Sequence, residues 1–278
     1  MKQIALRLTV IAAAFSFVLL APMASVAAPI VGSVNTGGAG DATVTLTSLT
    51  FNCNSVYVPL TGSCTSALPS TSPSFGNFVV SSASGAFAGD VGGIIGSINN
   101  TIAPVNTPVT VSNWVQFVTP GPTPTNIVLD LNMVSAGVNG TAGCLAPTPA
   151  AGQLCTPAFP ALVNPNNPQG LSPYNLENIS ASQSIASFAV SGTARNITTG
   201  DNSPFIGTFS SNFNQPFQQL LSQIAPSANQ PLGGSISNSW SATFTAVPEP
   251  RSTALLLAGL FIFGLVGTKR VRRNFSER

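Results

Sequence analysis

Short apolar stretches separated by Ser, Thr, Asn, Gly and Pro punctuate the chain between residues 28 and 246, a rhythm typical of an all-β domain. In the segment 127–134, Ile127, Leu129, Leu131 and Met133 alternate with Val128, Asp130, Asn132 and Val134, which predicts a strand with one apolar face. A second alternation places Ile236, Trp240, Ala242 and Phe244 on one parity and Ser237, Ser239, Ser241, Thr243 and Thr245 on the other, a strand with one wet face. Further strands are predicted over 43–51, 77–81, 93–98, 109–118, 184–193 and 205–213. In the first of these the apolar parity changes between Leu46 and Leu49, which predicts a bulge or bend near Thr47. One stretch breaks the pattern: Phe217, Leu220, Leu221 and Ile224 recur at helical spacing behind Asn214 and Pro216, so a short amphipathic helix is expected over 216–224, covering one end or edge of the sheets. The segments 120–124 and 137–173 read as exposed loops, the longer with a disulfide of its own. About eight strands with long connections predict a disulfide-stapled β-sandwich, jelly-roll or Greek-key in arrangement, with one short helix.

Both ends of the chain differ from this middle. Lys2 and Arg7 precede an apolar run from Leu8 to Leu20, and Ser25-Val26-Ala27 offers small residues to a signal peptidase, so residues 1–27 read as a signal peptide cleaved after Ala27. Cleavage one residue later would put Pro29 just beyond the scissile bond, where its fixed φ and missing N–H suit a protease poorly. At the other end Val247-Pro248-Glu249-Pro250 leads through Arg251 into an apolar stretch, 254–268, and then to Lys269, Arg270, Arg272 and Arg273. That stretch is about 15 residues, short of the ~20 that span hydrocarbon comfortably, but Arg251 and Lys269 can snorkel at its ends. The basic cluster prefers the cytoplasmic side, which leaves everything before Val247 outside. The expected organisation is a signal peptide, an extracytoplasmic domain over 28–246, and a membrane-associated tail over 247–278.

Charge changes meaning once the ends are set apart. The middle carries one basic residue, Arg195, against Asp41, Asp90, Asp130, Glu177 and Asp201, a net of −4, so the sequence pI of 8.5 belongs to the targeting segments. A domain with one arginine and no lysine cannot neutralise a phosphate backbone, which excludes nucleic acid as a partner. The four cysteines, Cys53, Cys64, Cys144 and Cys155, fall into two pairs of equal local spacing. In an oxidising compartment they are expected to join Cys53 to Cys64 and Cys144 to Cys155, each loop constraining the unfolded chain by roughly 3 kcal/mol.

The absence of histidine from the whole chain removes Ser-His-Asp and Cys-His nucleophiles and the commonest zinc ligand, and the two lysines sit in the targeting segments, beyond use in a Ser-Lys pair. A carboxylate-only glycosidase would need two of the five acids to meet. The acids are too sparse for a carboxylate-rich calcium site; one ion held by Asp41 or Asp201 with backbone carbonyls is the remaining arrangement. Gly92, Gly93 and Gly96 resemble part of a nucleotide loop but lack the following lysine and helix, and read as a strand and turn. Trp114, Trp240, Tyr57 and Tyr174 would form a sugar-stacking platform if exposed, though core packing is the expected reading. Asn99, Asn139, Asn178 and Asn196 begin Asn-x-Ser/Thr triplets, a weak glycosylation signal in a bacterial protein. The sequence calls for no catalytic residue, cofactor or resident metal.

The order Val247-Pro248-Glu249-Pro250, short apolar helix, basic cluster resembles the PEP-CTERM sorting signal of Gram-negative bacteria, over about 32 residues. Proteins with such tails are substrates of exosortase, a membrane enzyme that recognises the Pro-Glu-Pro region and cleaves near it, often in organisms that make exopolysaccharide. The resemblance implies that Pro248, Glu249 and Pro250 are read by exosortase, that membrane anchorage is transient, and that the domain ends at the cell surface or in the extracellular matrix. A structural or adhesive role linked to exopolysaccharide is then expected, with a carbohydrate-binding module as the alternative. Prolines on both sides of Glu249 hold the backbone extended and out of helix, as a protease substrate requires.

Overall fold

In a computed structural model of the chain, residues 29–247 are described, apart from 46–47, 58–63, 65–73, 100–102, 122, 159–169, 171 and 226–232. The strands are β1 (Gly32–Gly38), β2 (Ala42–Val44), β3 (Ser48–Phe51), β4 (Phe75–Ala83), β5 (Gly92–Gly96), β6 (Ile98–Asn99), β7 (Val111–Thr119), β8 (Thr123–Val134), β9 (Leu154–Cys155), β10 (Asn175–Ser180), β11 (Gln183–Asn196), β12 (Asn202–Phe213), β13 (Ile236–Asn238) and β14 (Ser241–Ala246). Among the described residues there is one α-helix, α1 (Phe217–Ile224).

The predicted two-sheet sandwich is corrected to a barrel. The main sheet runs β12-β14-β1-β4-β5-β7-β8-β11, and β11 then pairs with β12 along Ser184–Arg195, which closes the ring at eight strands. Every neighbouring pair is antiparallel, which an even-numbered ring permits without a mismatched seam. The order round the barrel follows the order along the chain, so this is an up-and-down meander; no Greek-key crossing is present in the ring. The last strand meets the first, Gly32 opposite Ala246 and Gly37 opposite Ser241. Full closure removes the sheet edges that a sandwich would leave.

Alternation along the strands fills the interior. In β12, Ser203, Phe205, Gly207 and Phe209 point in, whereas Asn202, Pro204, Ile206 and Thr208 point out. Ala242, Phe244 and Ala246 do the same in β14. An eight-stranded barrel is just wide enough for side chains to fill, and here aromatics fill it. Phe188 stacks on Phe209 at 4.5 Å, Trp114 meets Phe244 edge-on at 6.2 Å, and Phe51 lies 4.7 Å from Trp240. Each buried phenylalanine contributes roughly 2–3 kcal/mol of apolar transfer. Gly207 has no Cβ because one would lie 2.8 Å from both Phe244 and Val190, so the small residue makes room for the ring.

Because successive ring strands reverse direction, their connections alternate between the two ends of the barrel. The short ones (84–91, 120–122 and 197–201) share one end with the start of β1 and the finish of β14. Phe87, from the first of these, is fully buried against Phe117 there. The long ones (39–74, 97–110, 135–182 and 214–240) all emerge at the opposite end, the cap end. Three of them contribute strands to a second, four-stranded sheet, β13-β2-β3-β6. The fourth supplies β9 and β10, which extend the main sheet beside the first half of β11.

Several expectations change in detail. The segment 43–51, expected as one strand with a bulge or bend near Thr47, divides there into two strands, β2 paired antiparallel with β3. The segment 236–245 splits near Trp240 into β13 of the cap and β14 of the barrel, each with its own sheet to serve. The segment 93–98 likewise divides into β5 and β6. The helix forms as expected, but Pro216 is its cap residue and Asn214 is not; the orphan Phe217 N–H donates instead to Asn178 Oδ1, at 2.9 Å.

Candidate functional site

The predicted signal cleavage at Ala27 and the tail residues Pro248, Glu249, Pro250, Arg251, Lys269, Arg270, Arg272 and Arg273 lie outside the described residues. The apolar stretch 254–268 does too; among the described residues no helix is long and apolar enough to cross a membrane. Val247 is described. Its N–H donates to Pro204 O at 3.1 Å and its side chain is half exposed, so the fold holds the chain to the position just before Pro248.

The disulfides join Cys53 to Cys64 and Cys144 to Cys155, with Cα separations of 6.0 and 4.9 Å. Both lie in long connections at the cap end, where chain far from the ladder most needs restraint. Two disulfides point to an oxidising, extracytoplasmic environment.

The five acids are dispersed by the topology. Asp90 and Asp201 sit at the short-turn end, in the β4–β5 and β11–β12 connections, which lie across the ring from one another. Asp201 Oδ2 accepts from Thr199 Oγ1 at 2.6 Å. Asp41 and Glu177 belong to the cap end. Asp130, on β8, is held by Arg195: Nε donates to Oδ2 at 2.9 Å and Nη2 to Oδ1 at 3.2 Å. Nη2 also donates to Asn113 Oδ1 at 2.9 Å, and the Asn113 N–H donates to Asp130 Oδ1 at 2.7 Å. Asn113 has φ +54° where the β7–β8 register shifts, so the middle's one arginine fastens a bulge across β7, β8 and β11. That guanidinium is held further above its ordinary range by its hydrogen bond to Asp130. Among the described residues no cluster of three or more His, Cys, Asp or Glu is arranged to hold a metal.

The aromatic residues do not make a surface platform. Trp114 is fully buried and donates to Gly96 O at 2.6 Å; Trp240 is 7 % exposed and donates to Gly40 O at 3.1 Å. Tyr57 lies on the surface, and Tyr174 packs edge-on against Phe188. Asn178 is also fully buried, joined to Gln153 and Gln218 as well as to the start of α1, so its triplet is no accessible glycosylation site.

Two adjoining cavities mark the cap end. The first, of about 80 Å³, is almost wholly apolar and lies between the barrel mouth, the cap sheet and α1, where Val44, Phe188, Phe213, Leu221, Ile236 and Trp240 line it among others. The second, of about 470 Å³, is more open and lined by Asn212, Asn214, Gln215, Gln223, Asn238 and neighbouring serines. Phe213, Ile236 and Asn238 belong to both. Among the described residues no carboxylate lines either; the lining offers shape, apolar contact and amide hydrogen bonds. The helical stripe of Leu220, Leu221 and Ile224 was the legible trace of the first cavity; the second draws on residues of loop composition with no period to reveal them.

No family model, no curated protein and no solved structure matches the chain.

Proposed function

We infer that this is an exported, non-enzymatic protein whose tail hands it to exosortase, and which ends at the cell surface or in the extracellular matrix in a structural or adhesive role linked to exopolysaccharide. The observation that carries this reading is the position of Val247. The barrel ladder holds it at the end where the chain also enters, and the Val-Pro-Glu-Pro motif continues from it without a linker. A tail leaving that end leaves the cap, with both disulfides and both cavities, at the opposite end, facing away from the membrane. A low-charge surface rich in Ser, Thr and Asn suits contact with neutral hydrated polymer.

The test is deletion of residues 248–278, which spares β14 and the Val247 bond. The truncated protein should appear in periplasm or medium instead of the envelope. Envelope retention equal to that of the full chain would overturn the reading.

The alternative, a carbohydrate-binding module, is favoured by the amide-lined cavity, since amides pair as donor and acceptor with sugar hydroxyls. Its binding would depend on Asn212 and Asn214, not on the buried Trp114. Glycan binding lost in Trp114→Phe but retained in an Asn212→Ala/Asn214→Ala double variant would count against it.

A further inference from the structure

We propose that the cap end binds a small neutral amphiphile, an alkyl or acyl chain carrying a hydroxylated head of carbohydrate type, with the chain in the apolar cavity and the head in the amide-lined one. The two spaces differ in chemistry and adjoin, with Phe213, Ile236 and Asn238 lining both. That adjacency is what a ligand with an apolar and a polar half requires.

The size of the apolar space selects the chain. About 80 Å³ holds roughly three water-sized groups, so it takes the end of a short alkyl chain and is too small for a fused ring system. Its lining comes from both buried clusters of the protein: Phe51, Phe188, Phe209 and Trp240 from the main core, and Leu176 of β10 with Leu220 of α1 from the smaller one. The cavity is therefore a gap at the seam between two packed units.

Hydrogen bonding within the lining identifies where the polar half begins. Ser210 Oγ bonds Ser241 Oγ at 2.9 Å, Ser211 Oγ donates to Ser239 O at 2.7 Å, and Asn238 Nδ2 donates to Ser211 Oγ at 3.0 Å. Trp240 Nε1 is likewise satisfied by Gly40 O. The Tyr174 hydroxyl alone among these lining groups makes no hydrogen bond among the described residues, and burial pushes its pKa upward, so it stays a neutral donor. In the larger cavity Gln215 and Gln223 bond each other through both amides, at 3.0 and 3.3 Å, which leaves the exposed amides of Asn212 and Asn214 for hydroxyls. Among the described residues no charged side chain lines either space, which specifies a neutral head.

This inference rests on cavity chemistry and is independent of the sorting tail. The probes are hexyl β-glucoside, methyl β-glucoside and hexanol, titrated into protein purified from whichever cell fraction accumulates it, with tryptophan emission as the signal because Trp240 lines the apolar space. Burial of about three methylenes should make hexyl glucoside at least tenfold tighter than methyl glucoside. It should also be tighter than hexanol. Ala186→Leu, which fills the apolar space from β11, should erase the chain-dependent gain while methyl glucoside binding persists. An Asn212→Ala/Asn214→Ala double variant, which leaves the apolar space untouched, should weaken hexyl glucoside several-fold and leave hexanol unchanged. Absence of saturable hexyl glucoside binding, equal affinity for hexanol, or an undiminished chain effect in a folded Ala186→Leu protein would each overturn the proposal.

Discussion

Replacement of Asp90 by Asn should change how stability depends on pH. Asp90 lies at the short-turn end, buried beside Phe87, whose carbonyl accepts its N–H, and its Oδ2 has no hydrogen-bond partner among the described residues. The one base between residues 29 and 247, Arg195, is committed to Asp130, so nothing positive compensates a charge at Asp90. Burial accordingly raises its pKa from 3.8 to about 7. The folded state then holds a proton that the unfolded chain has already released between those two values. Stability should therefore be highest below about pH 4, fall as pH rises toward 7, and level off above it, the reverse of a salt-bridged carboxylate. At about 1.4 kcal/mol per unit the full shift sets a ceiling of about 4 kcal/mol; partial contact with solvent brings the expected loss to about 2 kcal/mol. Asn keeps the shape and cannot ionise. Urea unfolding at intervals from pH 4 to 8.5, disulfides intact, should give wild type and Asp90→Asn similar stabilities at pH 4 and the variant an advantage of about 2 kcal/mol at pH 8. A difference between the two proteins that does not vary with pH would refute the reasoning.

Arg195→Met should cost about 2 kcal/mol, because it strands a carboxylate only 13 % exposed and releases the β7 bulge at Asn113; equilibrium unfolding measures it. Gly192→Ala should cost more than about 2 kcal/mol in the same assay, since its Cβ would meet the backbone Asp130 O and the fully buried Phe205 ring, neither of which has room to yield. A Cys144→Ala/Cys155→Ala double variant should lose roughly 3 kcal/mol. The loss should come with faster proteolysis in the 135–182 connection, the barrel wall remaining intact.

Two strands were readable in the sequence: β8 through Ile127, Leu129 and Leu131, although Val128 and Asp130 on its other face are buried too, and β12, which contains the predicted 205–213 and starts three residues earlier. The helix was legible because four apolar residues fall on one side of it, and the disulfides because two equal spacings favour local pairing. The closing of the barrel was not. It depends on β1, whose sequence Gly-Ser-Val-Asn-Thr-Gly-Gly carries one large apolar residue, Val34, and on its pairing with β14 some 200 residues away. Alternation states which face of a strand is buried and is silent about which strand lies beside it, so a sandwich and a barrel look alike at that level. β10 was not predicted for a related reason: Asn175, Glu177 and Ser180 give it no apolar face to read, yet Leu176 and Asn178 are buried. The cap-end cavities went unseen because residues from three long connections meet there only after the barrel has closed.

The most direct test of the account is the intact mass of the protein isolated from the envelope of the cells that make it. Export through a signal peptide and processing by exosortase require a species that begins at Ala28 and ends near Pro250, without Arg251 and the basic cluster, and with a mass consistent with four oxidised cysteines. A surface protein that still carries residues 251–278 would contradict the account, and so would one retaining residues 1–27.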